Sequence, residues 1–513
     1  MLARHTAMKR HLLSLAPLLA LGLSWRAVGP ESVHAIRPLV AARQPIVQQG
    51  HHLIQELDAL TARNWARVAG LDTGLPPRVN GHDEFVAQWT RQVLSSLKGL
   101  PVGVVRQSFQ TPGFRDLPAT RPGVNTIVVV PGARHADQAV IIGAHPDGEP
   151  TSKGSAYDDA SGCVILLGLA ELLGQYWRTH GLPSLTVEFV LFDAEEEGLV
   201  GSGAFNFAYR SGALMPRPVF MIDEEQSGVG YPVRPFGMHS QSPLPSYAVT
   251  TGDLPARMAR LFGSASQPNQ VELRLAIQRL NSARTAVFEE LHSAYAILPY
   301  RGGNATVFSR SDQRYLKIGP IPLCCSDNAA FEALGLPTVT FAGNSDYYAR
   351  DAQPWSFPYD QPEDTLAALA CDTGGSPKSG VALEAALELP VQLSNALVLD
   401  YAPSTSAGGH GAADIAIVST LAAARQSAKF QAIAASQAEW DFGDGSHASG
   451  ATVSHTFAKV GTFWVTVRAG QVTRRVHLTV SDHELVYKSL FPVTPPPRRP
   501  WSPAALHDIA GCH

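Results

Sequence analysis

The feature that most constrains the fold is an alternation of short apolar runs with helical segments between residues 125 and 400. Runs rich in β-branched residues predict buried strands, and apolar residues at helical spacing between them predict helices. The strands are predicted at 126–130, 139–142, 185–192, 219–222 and 338–341. The helices are predicted at 85–97, 163–177, 203–209, 271–298 and 381–399. This alternation predicts an α/β fold with a mixed, largely parallel central sheet flanked by helices.

Composition shifts divide the chain into five segments. A basic start at 8–11 precedes an apolar run at 12–23, which is typical of an export signal and too short to span a bilayer comfortably. A stretch rich in Ser, Gly and Pro near 403–412 predicts a linker, and alternating runs beyond it predict a small all-β module. The predicted segments are a signal peptide at 1–35, an α/β domain at 36–402, a linker at 403–411, a β-sandwich at 412–482 and a Pro-rich tail at 483–513.

The composition and net charge of the chain argue against nucleic acid as a partner. Charged residues make up 16% of the chain and the net charge is -4, so a nucleic-acid binder with its basic footprint is not expected. Apolar residues make up 45%, enough to bury a sizeable core. We expect a released, extracellular protein without a membrane span.

The five cysteines do not have the spacing of a metal finger. Export permits disulfides, and a bridge from Cys324 or Cys325 to Cys371 is compatible with the sequence. Cys163 lies in an apolar stretch and is expected to be buried as a small hydrophobic residue.

Acidic residues and one histidine follow the predicted strands or precede a helix. Since parallel strands bring their carboxyl ends to one edge of a sheet, these side chains should converge there. Carboxylates that converge without a partner repel each other, and a divalent metal ion removes that penalty. A mixture of imidazole and carboxylate ligands suits zinc. The segments are His145-Pro146-Asp147, Asp158-Asp159-Ala160-Ser161-Gly162, Glu195-Glu196-Glu197-Gly198 and Ile222-Asp223-Glu224.

These motifs resemble the di-zinc aminopeptidases of clan MH, of the bacterial leucyl aminopeptidase type, a clan that also includes glutaminyl cyclases and glutamate carboxypeptidases. The resemblance spans roughly residues 50 to 400 and is most specific in the Asp-Asp motif and in Glu195-Glu196-Glu197-Gly198-Leu199-Val200-Gly201-Ser202. It implies two zinc ions and hydrolysis of the N-terminal residues of peptides.

The resemblance also implies roles for individual residues. Asp158 would bridge the two ions, while His145 and Asp223 would complete the first site. Asp147 would orient the ring of His145. Glu196 would ligate the second ion. Glu195 would be the general base that takes a proton from the attacking water and passes it to the leaving amine.

Two positions depart from the family pattern. Asp360 stands where the family has its last histidine ligand, four residues before Asp364-Thr365. A carboxylate can still bind zinc, but it adds negative charge and weakens the ion as a Lewis acid. Asn328 stands where the family often has a histidine after Ser326-Asp327. Because of Asp360, the second ion is expected to bind more loosely or to be a harder metal. Asn328 is a smaller polar group than histidine, so it is expected to weaken the support of the metal ligands or the contact with substrate at that position.

A second resemblance covers residues 412 to 482. Trp440-Asp441-Phe442-Gly443-Asp444-Gly445 and the runs that follow it resemble the PKD domain, an immunoglobulin-like β-sandwich. The resemblance suggests adhesion to insoluble protein or glycan, and a spacer or stabilising module is the alternative. Asp441 and Asp444 are expected to form turns rather than to bind metal.

Three functional hypotheses follow. The leading one is a secreted zinc exopeptidase of the aminopeptidase type. A second keeps the fold but makes the protein a carboxypeptidase or a glutaminyl cyclase. A third is a non-catalytic metal-binding ectodomain, which the change at Asp360 favours and the presence of Glu195 disfavours.

Overall fold

The structure, a computed structural model, describes eleven stretches of the chain. They are residues 77–111, 121–148, 155–228, 270–300, 303–316, 318, 326–342, 364–366, 368–369, 381–405 and 413–482. The predictions for the export signal, for Asp360, for the disulfide and for the Pro-rich tail lie outside these residues.

The described part of the α/β domain is built on a six-stranded sheet in the order β1-β2-β4-β3-β5-β8. Its first two pairings are antiparallel, whereas β4, β3, β5 and β8 run parallel to each other. The prediction of a mixed, largely parallel sheet is confirmed. The strands are β1 Gly103–Thr111, β2 Arg121–Val130, β3 His135–Ala144, β4 Leu185–Leu191, β5 Arg217–Glu225 and β8 Thr338–Ala342, with a separate hairpin of β6 Ile297–Tyr300 and β7 Gly303–Thr306.

Helices cover both faces of this sheet. One face carries the large core, to which α1, α2, α4 and α6 contribute buried residues such as Trp89, Leu169 and Leu393. The other face packs against α3 and α5 through Phe205 and Phe331. The helices are α1 Pro77–Ser96, α2 Ser161–His180, α3 Val200–Arg210, α4 Gln270–Tyr295, α5 Asn328–Glu332 and α6 Val381–Tyr401.

One helical stretch in the described part, Ala156–His180, is long and apolar enough to span a membrane. Of its most apolar window, 78% is buried inside the protein, as expected for a core helix of the α/β domain. Cys163, near its start, is fully buried, as predicted.

The C-terminal module is a sandwich of two sheets, in the orders β10-β16-β15-β12-β13 and β14-β11-β9. Phe430, Trp440 and Phe442 form its aromatic core, which confirms the prediction of an immunoglobulin-like β-sandwich. Asp441 and Asp444 accept hydrogen bonds from backbone N–H groups two residues ahead, at 2.9 Å each, so they form turns as predicted. The strands are β9 Ala416–Ser419, β10 Ala422–Ala423, β11 Ser427–Ile433, β12 Glu439–Asp441, β13 His447–Ser449, β14 Thr452–Thr456, β15 Gly461–Ala469 and β16 Val472–Ser481.

The module packs directly on the central sheet. Along β9, Ile417 points into the module core, whereas Val418 belongs to the core formed with the sheet, as does Ile433 of β11. Two hydrogen bonds reinforce the contact: the amide of Ser419 donates to the carbonyl of Leu214 at 2.7 Å, and the amide of Leu214 donates to Oγ of Ser419 at 2.9 Å. The β-sandwich therefore covers part of one face of the central sheet.

Candidate metal centre

His145 lies just beyond the end of β3 and is almost fully buried. Its Nδ1 lies 3.0 Å from the backbone carbonyl of Asp147, and since a carbonyl can only accept, Nδ1 carries the proton. Nε2 makes no hydrogen bond and points toward Asp158 Oδ1 at 3.0 Å and Glu225 Oε2 at 3.5 Å. The ring thus presents Nε2, which has no hydrogen-bond partner, to two carboxylates, and this is the arrangement of a metal ligand.

The negative charge of the carboxylates around His145 favours a cation at this position. Burial lowers the pKa of the imidazole, but the nearby carboxylates of Glu225 and Glu195, and after them those of Asp147 and Asp158, outweigh burial and raise that pKa well above its usual range. In the bare chain a proton is the cation that these carboxylates favour. A divalent ion coordinated by Nε2 would meet the same demand.

Asp147 links two of the sequence motifs. Its Oδ1 accepts a hydrogen bond from the amide of Glu195 and its Oδ2 accepts one from the amide of Glu196, both at 3.1 Å. The predicted contact with His145 is made mainly by the backbone carbonyl of Asp147, because the carboxylate lies 3.6 Å from Nδ1. Asp147 therefore fixes the ring of His145 and the loop that carries the two glutamates.

Asp158 is held in a tight turn before α2. The carboxylate of Asp364 accepts the amides of Tyr157 at 2.9 Å and Asp158 at 3.3 Å, which anchors the turn. The side-chain amide of Gln226 donates to Asp158 Oδ2 at 3.0 Å. Asp158 Oδ1 is buried without a hydrogen-bond partner and faces His145. Only one oxygen of Asp158 is thus left for a metal in this arrangement.

Asp159 organises the backbone beneath the site. Its Oδ1 accepts the amides of Gly162 at 2.9 Å and Gln226 at 3.2 Å, while its Oδ2 accepts the amide of His145 at 3.3 Å. Burial and the nearby charge of Glu225 raise the pKa of this carboxyl well above its usual range. A side chain at Gly162 would place its Cβ 2.3 Å from the carbonyl of Glu224 and 2.4 Å from Asp159 Oδ2, which explains the glycine of this motif.

The loop after β4 carries Glu195 and Glu196, both half-buried. Asn125 of β2 fixes this loop, since its Oδ1 accepts the amide of Asp193 at 3.1 Å and its Nδ2 donates to the carbonyl of Gly201 at 2.8 Å. Burial is the main cause that raises the pKa of Glu195 well above its usual range. A carboxylate with a raised pKa is suited to accept and return a proton.

Glu225, rather than Asp223, reaches the ring of His145. The two residues share a face of β5, but β3 and β5 pair with Gly143 opposite Asp223. Glu225 lies two residues further along, level with His145, which is two residues beyond Gly143. Glu225 Oε2 also accepts the hydroxyl of Ser326 at 2.8 Å.

Asp223 has a different environment. One of its oxygens accepts the amide of Asn328 at 3.2 Å and the hydroxyl of Thr340 at 3.5 Å. Burial and the charge of Glu225 raise its pKa to about 7. Its other oxygen, Oδ1, is buried without a hydrogen-bond partner, but Asp223 is not among the residues whose ligand atoms lie within 4.8 Å of one another. The role of Asp223 as a ligand beside His145 stays a prediction.

The convergence of His145, Asp158 and Glu196 agrees with the prediction that they share a site. Their ligand atoms lie within 4.8 Å of one another, as do those of His145, Asp159 and Glu225. These groups offer imidazole and carboxylate donors, and they include the bare His145 Nε2 and Asp158 Oδ1, so the residues fit zinc.

Sequence reasoning missed Glu225, Asp159 and Gln226 as members of the site, and Asp327 and Asp364 as its supports. Asp327 is fully buried, and burial together with the charge of Asp223 raises the pKa of its carboxyl. The sequence could have predicted Glu225 as a site residue, since it lies two residues beyond Asp223 and therefore on the same strand face. Gln226 follows a strand as a neutral residue and carries no comparable signal.

Two segments of the chain match known protein families, and one of these segments contains most of the site residues. Residues 125–252 match the profile of peptidase family M28, and residues 412–481 match that of the PKD domain. The chain therefore contains a segment similar to the M28 peptidases, residues 125–252, which we call the M28 segment, and a segment similar to the PKD domain. The two predicted resemblances are thus confirmed, and the M28 match includes all the site residues described above except Ser326, Asp327, Asn328, Thr340 and Asp364.

Two curated relatives share 30% identity with this chain over 148 residues. They are the probable leucine aminopeptidases of Trichophyton verrucosum and Arthroderma benhamiae. The match covers 29% of this chain and 38% of each relative, so the chain spans well under half the length of the proteins it resembles.

Solved structures that match parts of this chain include two kinds of enzyme. A zinc aminopeptidase from Bacillus subtilis matches with 17% identity and a TM-score of 0.34, over 55% of this chain and 51% of its own. The aminopeptidase LapA from Legionella pneumophila matches with 14% identity and a TM-score of 0.41, over 74% and 78%. A glutaminyl cyclase from Macrostomum lignano matches with 12% identity and a TM-score of 0.43, over 72% and 96%.

Proposed function

We propose that the chain is a secreted zinc exopeptidase that removes N-terminal residues from peptides. The observation that carries this proposal is the pair of buried, unpartnered ligand atoms, His145 Nε2 and Asp158 Oδ1, which lie 3.0 Å apart with the Glu195–Glu196 loop clamped beside them. The M28 match of this segment supports a peptidase, and the curated relatives support the aminopeptidase type.

Zinc would be held by His145, Asp158 and Glu196, with Glu225 beside the ring of His145. When bound, the ion polarises the scissile carbonyl and lowers the pKa of water. Asp360 stays a predicted ligand from the sequence alone.

Glu195 is proposed as the general base. It precedes the ligand Glu196 directly, and the pKa of its carboxyl is raised mainly by burial. Glu195 takes the proton of the attacking water and delivers it to the departing amine, which balances the hydrolysis of the peptide bond. Asp147 serves this step by fixing the backbone amides of both glutamates.

The test is amino-acid release from matched pairs of peptides with free and N-acetylated amino termini, using the zinc-loaded chain. We expect release from free peptides only. Glu195→Gln should abolish turnover while the zinc content, measured by mass spectrometry, stays the same. Glu171→Gln, on the surface of α2, is the matched control and should retain full turnover.

Other outcomes would identify other functions. Release from the carboxyl end of N-acetylated peptides would indicate a carboxypeptidase. Conversion of N-terminal glutamine to pyroglutamate without release of amino acids would indicate a cyclase. Retained zinc with no turnover of any peptide would indicate a non-catalytic ectodomain, and full turnover by Glu195→Gln would remove that residue as the base.

Export and adhesion complete the proposal. Residues 1–35 should direct a reporter protein out of the cell, and a reporter that stays inside would contradict export.

The proposed adhesion to insoluble protein or glycan is supported by Trp464, which is 44% exposed and has the Arg475 guanidinium 4.3 Å from its ring centre. Trp464→Ala should reduce retention on such a matrix if this face binds it.

A further inference from the structure

We propose that this site binds a single metal ion, because Gln226 holds the oxygen of Asp158 that a second ion would need. The inference rests on the proposed function, since it concerns the same metal centre. It replaces the bridging role that the family resemblance implies for Asp158 with that of a ligand to one ion.

The two oxygens of Asp158 have different surroundings. Oδ1 has no hydrogen-bond partner and lies 3.0 Å from His145 Nε2, so both atoms can bind the same ion. Oδ2 accepts a hydrogen bond from Gln226 Nε2 at 3.0 Å. A carboxylate that bridges two ions uses one oxygen on each, and here the second oxygen is taken by an amide.

Gln226 is fixed in place. Gln226 is 2% exposed, and its backbone amide donates a hydrogen bond to Asp159 Oδ1 at 3.2 Å. Neither the backbone nor the side chain can therefore turn easily toward solvent. A flipped amide would put its oxygen against the carboxylate of Asp158, where two acceptors repel each other. The nitrogen is therefore the atom that faces Asp158.

The imidazole supplies an independent argument. Both groups of potential ligands in the described residues include His145. Its Nδ1 proton is donated to the carbonyl of Asp147, so Nε2 is the nitrogen left for coordination. One nitrogen lone pair binds one ion, so within the described residues these two groups are alternative settings of a single ion.

The test counts zinc ions per chain by mass spectrometry after dialysis against zinc and removal of loosely bound metal. The intact chain should hold one ion. Gln226→Glu is nearly isosteric, removes the donor and adds a carboxylate, so it should hold two. Gln226→Gly should also hold two, and glycine adopts the positive φ of 47° at this position without strain.

Gln426→Glu in the PKD domain is the matched control and should hold one ion. Titration with cobalt, followed by its visible absorption, should saturate at one equivalent for the intact chain and at two for both Gln226 variants. Two ions on the intact chain, or one ion on a folded Gln226→Glu chain, would overturn the inference and leave the peptidase proposal standing. No ion on the intact chain would overturn both.

Discussion

At the scale of single residues, Asp147 joins parts of the site that come from separate strands. Its carbonyl fixes the ring of His145, and its carboxylate accepts the amides of Glu195 and Glu196. An asparagine has the same shape but only one acceptor atom, and its NH₂ group would face an N–H donor.

We therefore expect Asp147→Asn to lower zinc affinity or turnover by about 10–100-fold, the usual effect of losing a partner that orients metal ligands. Competition with a chromogenic chelator measures the affinity, and peptide release measures the turnover. Asp137→Asn, at an exposed position of β3, is the control and should change neither. Unchanged affinity and turnover in Asp147→Asn would show that the two amides do not need this carboxylate.

The case of Asp223 and Glu225 shows how far residues alone predict the site. The motifs predict that His145, Asp158 and Glu196 lie together, because strand ends of a parallel sheet share an edge, and their ligand atoms do lie within 4.8 Å of one another. They do not fix which acidic residue of β5 stands level with His145. That depends on the pairing of β3 with β5, which includes an irregularity between Ala139 and Val140 that has no sequence signature.

At the scale of elements, the loop after β4 depends on a glycine. A Cβ on Gly201 would lie 2.3 Å from the carbonyl of Asp193 and 2.6 Å from Asn125 Oδ1, both of which hold the loop that carries Glu195 and Glu196. Gly201→Ala should therefore lose most of its turnover and about 1–3 kcal/mol of unfolding free energy, as overpacking does.

Denaturant unfolding and peptide release together measure these effects. Gly470→Ala is the control, since nothing lies within 4 Å of a Cβ there and only the positive φ of 58° is strained. Gly470→Ala should keep full turnover. A fully active Gly201→Ala chain would mean that the loop can shift without disturbing the site.

Strand β4 carries a buried carboxyl away from the metal centre. Glu188 is 1% exposed, lies opposite Val129 and Ile141 in the neighbouring strands, and has an oxygen without a hydrogen-bond partner. Burial raises its pKa from 4.5 to about 8. The folded chain therefore keeps a proton on Glu188 between these values while the unfolded chain does not.

Because the folded chain binds the extra proton, the contribution of Glu188 to stability is greatest below pH 4.5 and falls as the pH rises to about 8. The full change is about 5 kcal/mol, at 1.36 kcal/mol per pKa unit. Glu188→Met should remove this slope, so the gap in unfolding free energy between variant and parent should widen from pH 5 to pH 8. A gap that is constant with pH would show that Glu188 is ionised in the folded protein.

At the scale of the whole molecule, the PKD domain and the central sheet share a core. Val418 is 6% exposed and lies in the core that includes Ile141 and Phe192 of the sheet, not in the core of the sandwich. Val418→Asp would bury an unpaired charge between the two parts, which should cost about 3–5 kcal/mol.

Calorimetry tests this coupling. The parent chain should unfold in one transition, and Val418→Asp should lower the transition temperature or separate it into two. Val460→Asp, at a position of the PKD domain that is 53% exposed, is the control and should leave the curve unchanged. Two separate transitions in the parent chain would show that the two parts fold independently.

The layers within each part could be predicted from the sequence, whereas the contact between the parts could not. Alternation predicts strands and which residues share a face, but it does not say what covers the outer face of β9. Ala416 and Val418 read as ordinary strand residues, and only the structure shows that they pack on the central sheet. Single-sequence patterns describe neighbours in the chain and are silent about partners hundreds of residues away.

Because the PKD domain and the central sheet share a core, the chain could not have gained the PKD domain by simple attachment. A domain joined by a tether can be exchanged between genes without any change in its host, but one that fills the face of its host's sheet cannot. Once Val418 and Ile433 had become part of that core, losing the domain would have exposed apolar surface, and replacing it would have required a matching face. The pair should therefore be inherited together, and a graft of the M28 segment alone onto another protein would need new polar residues on that face.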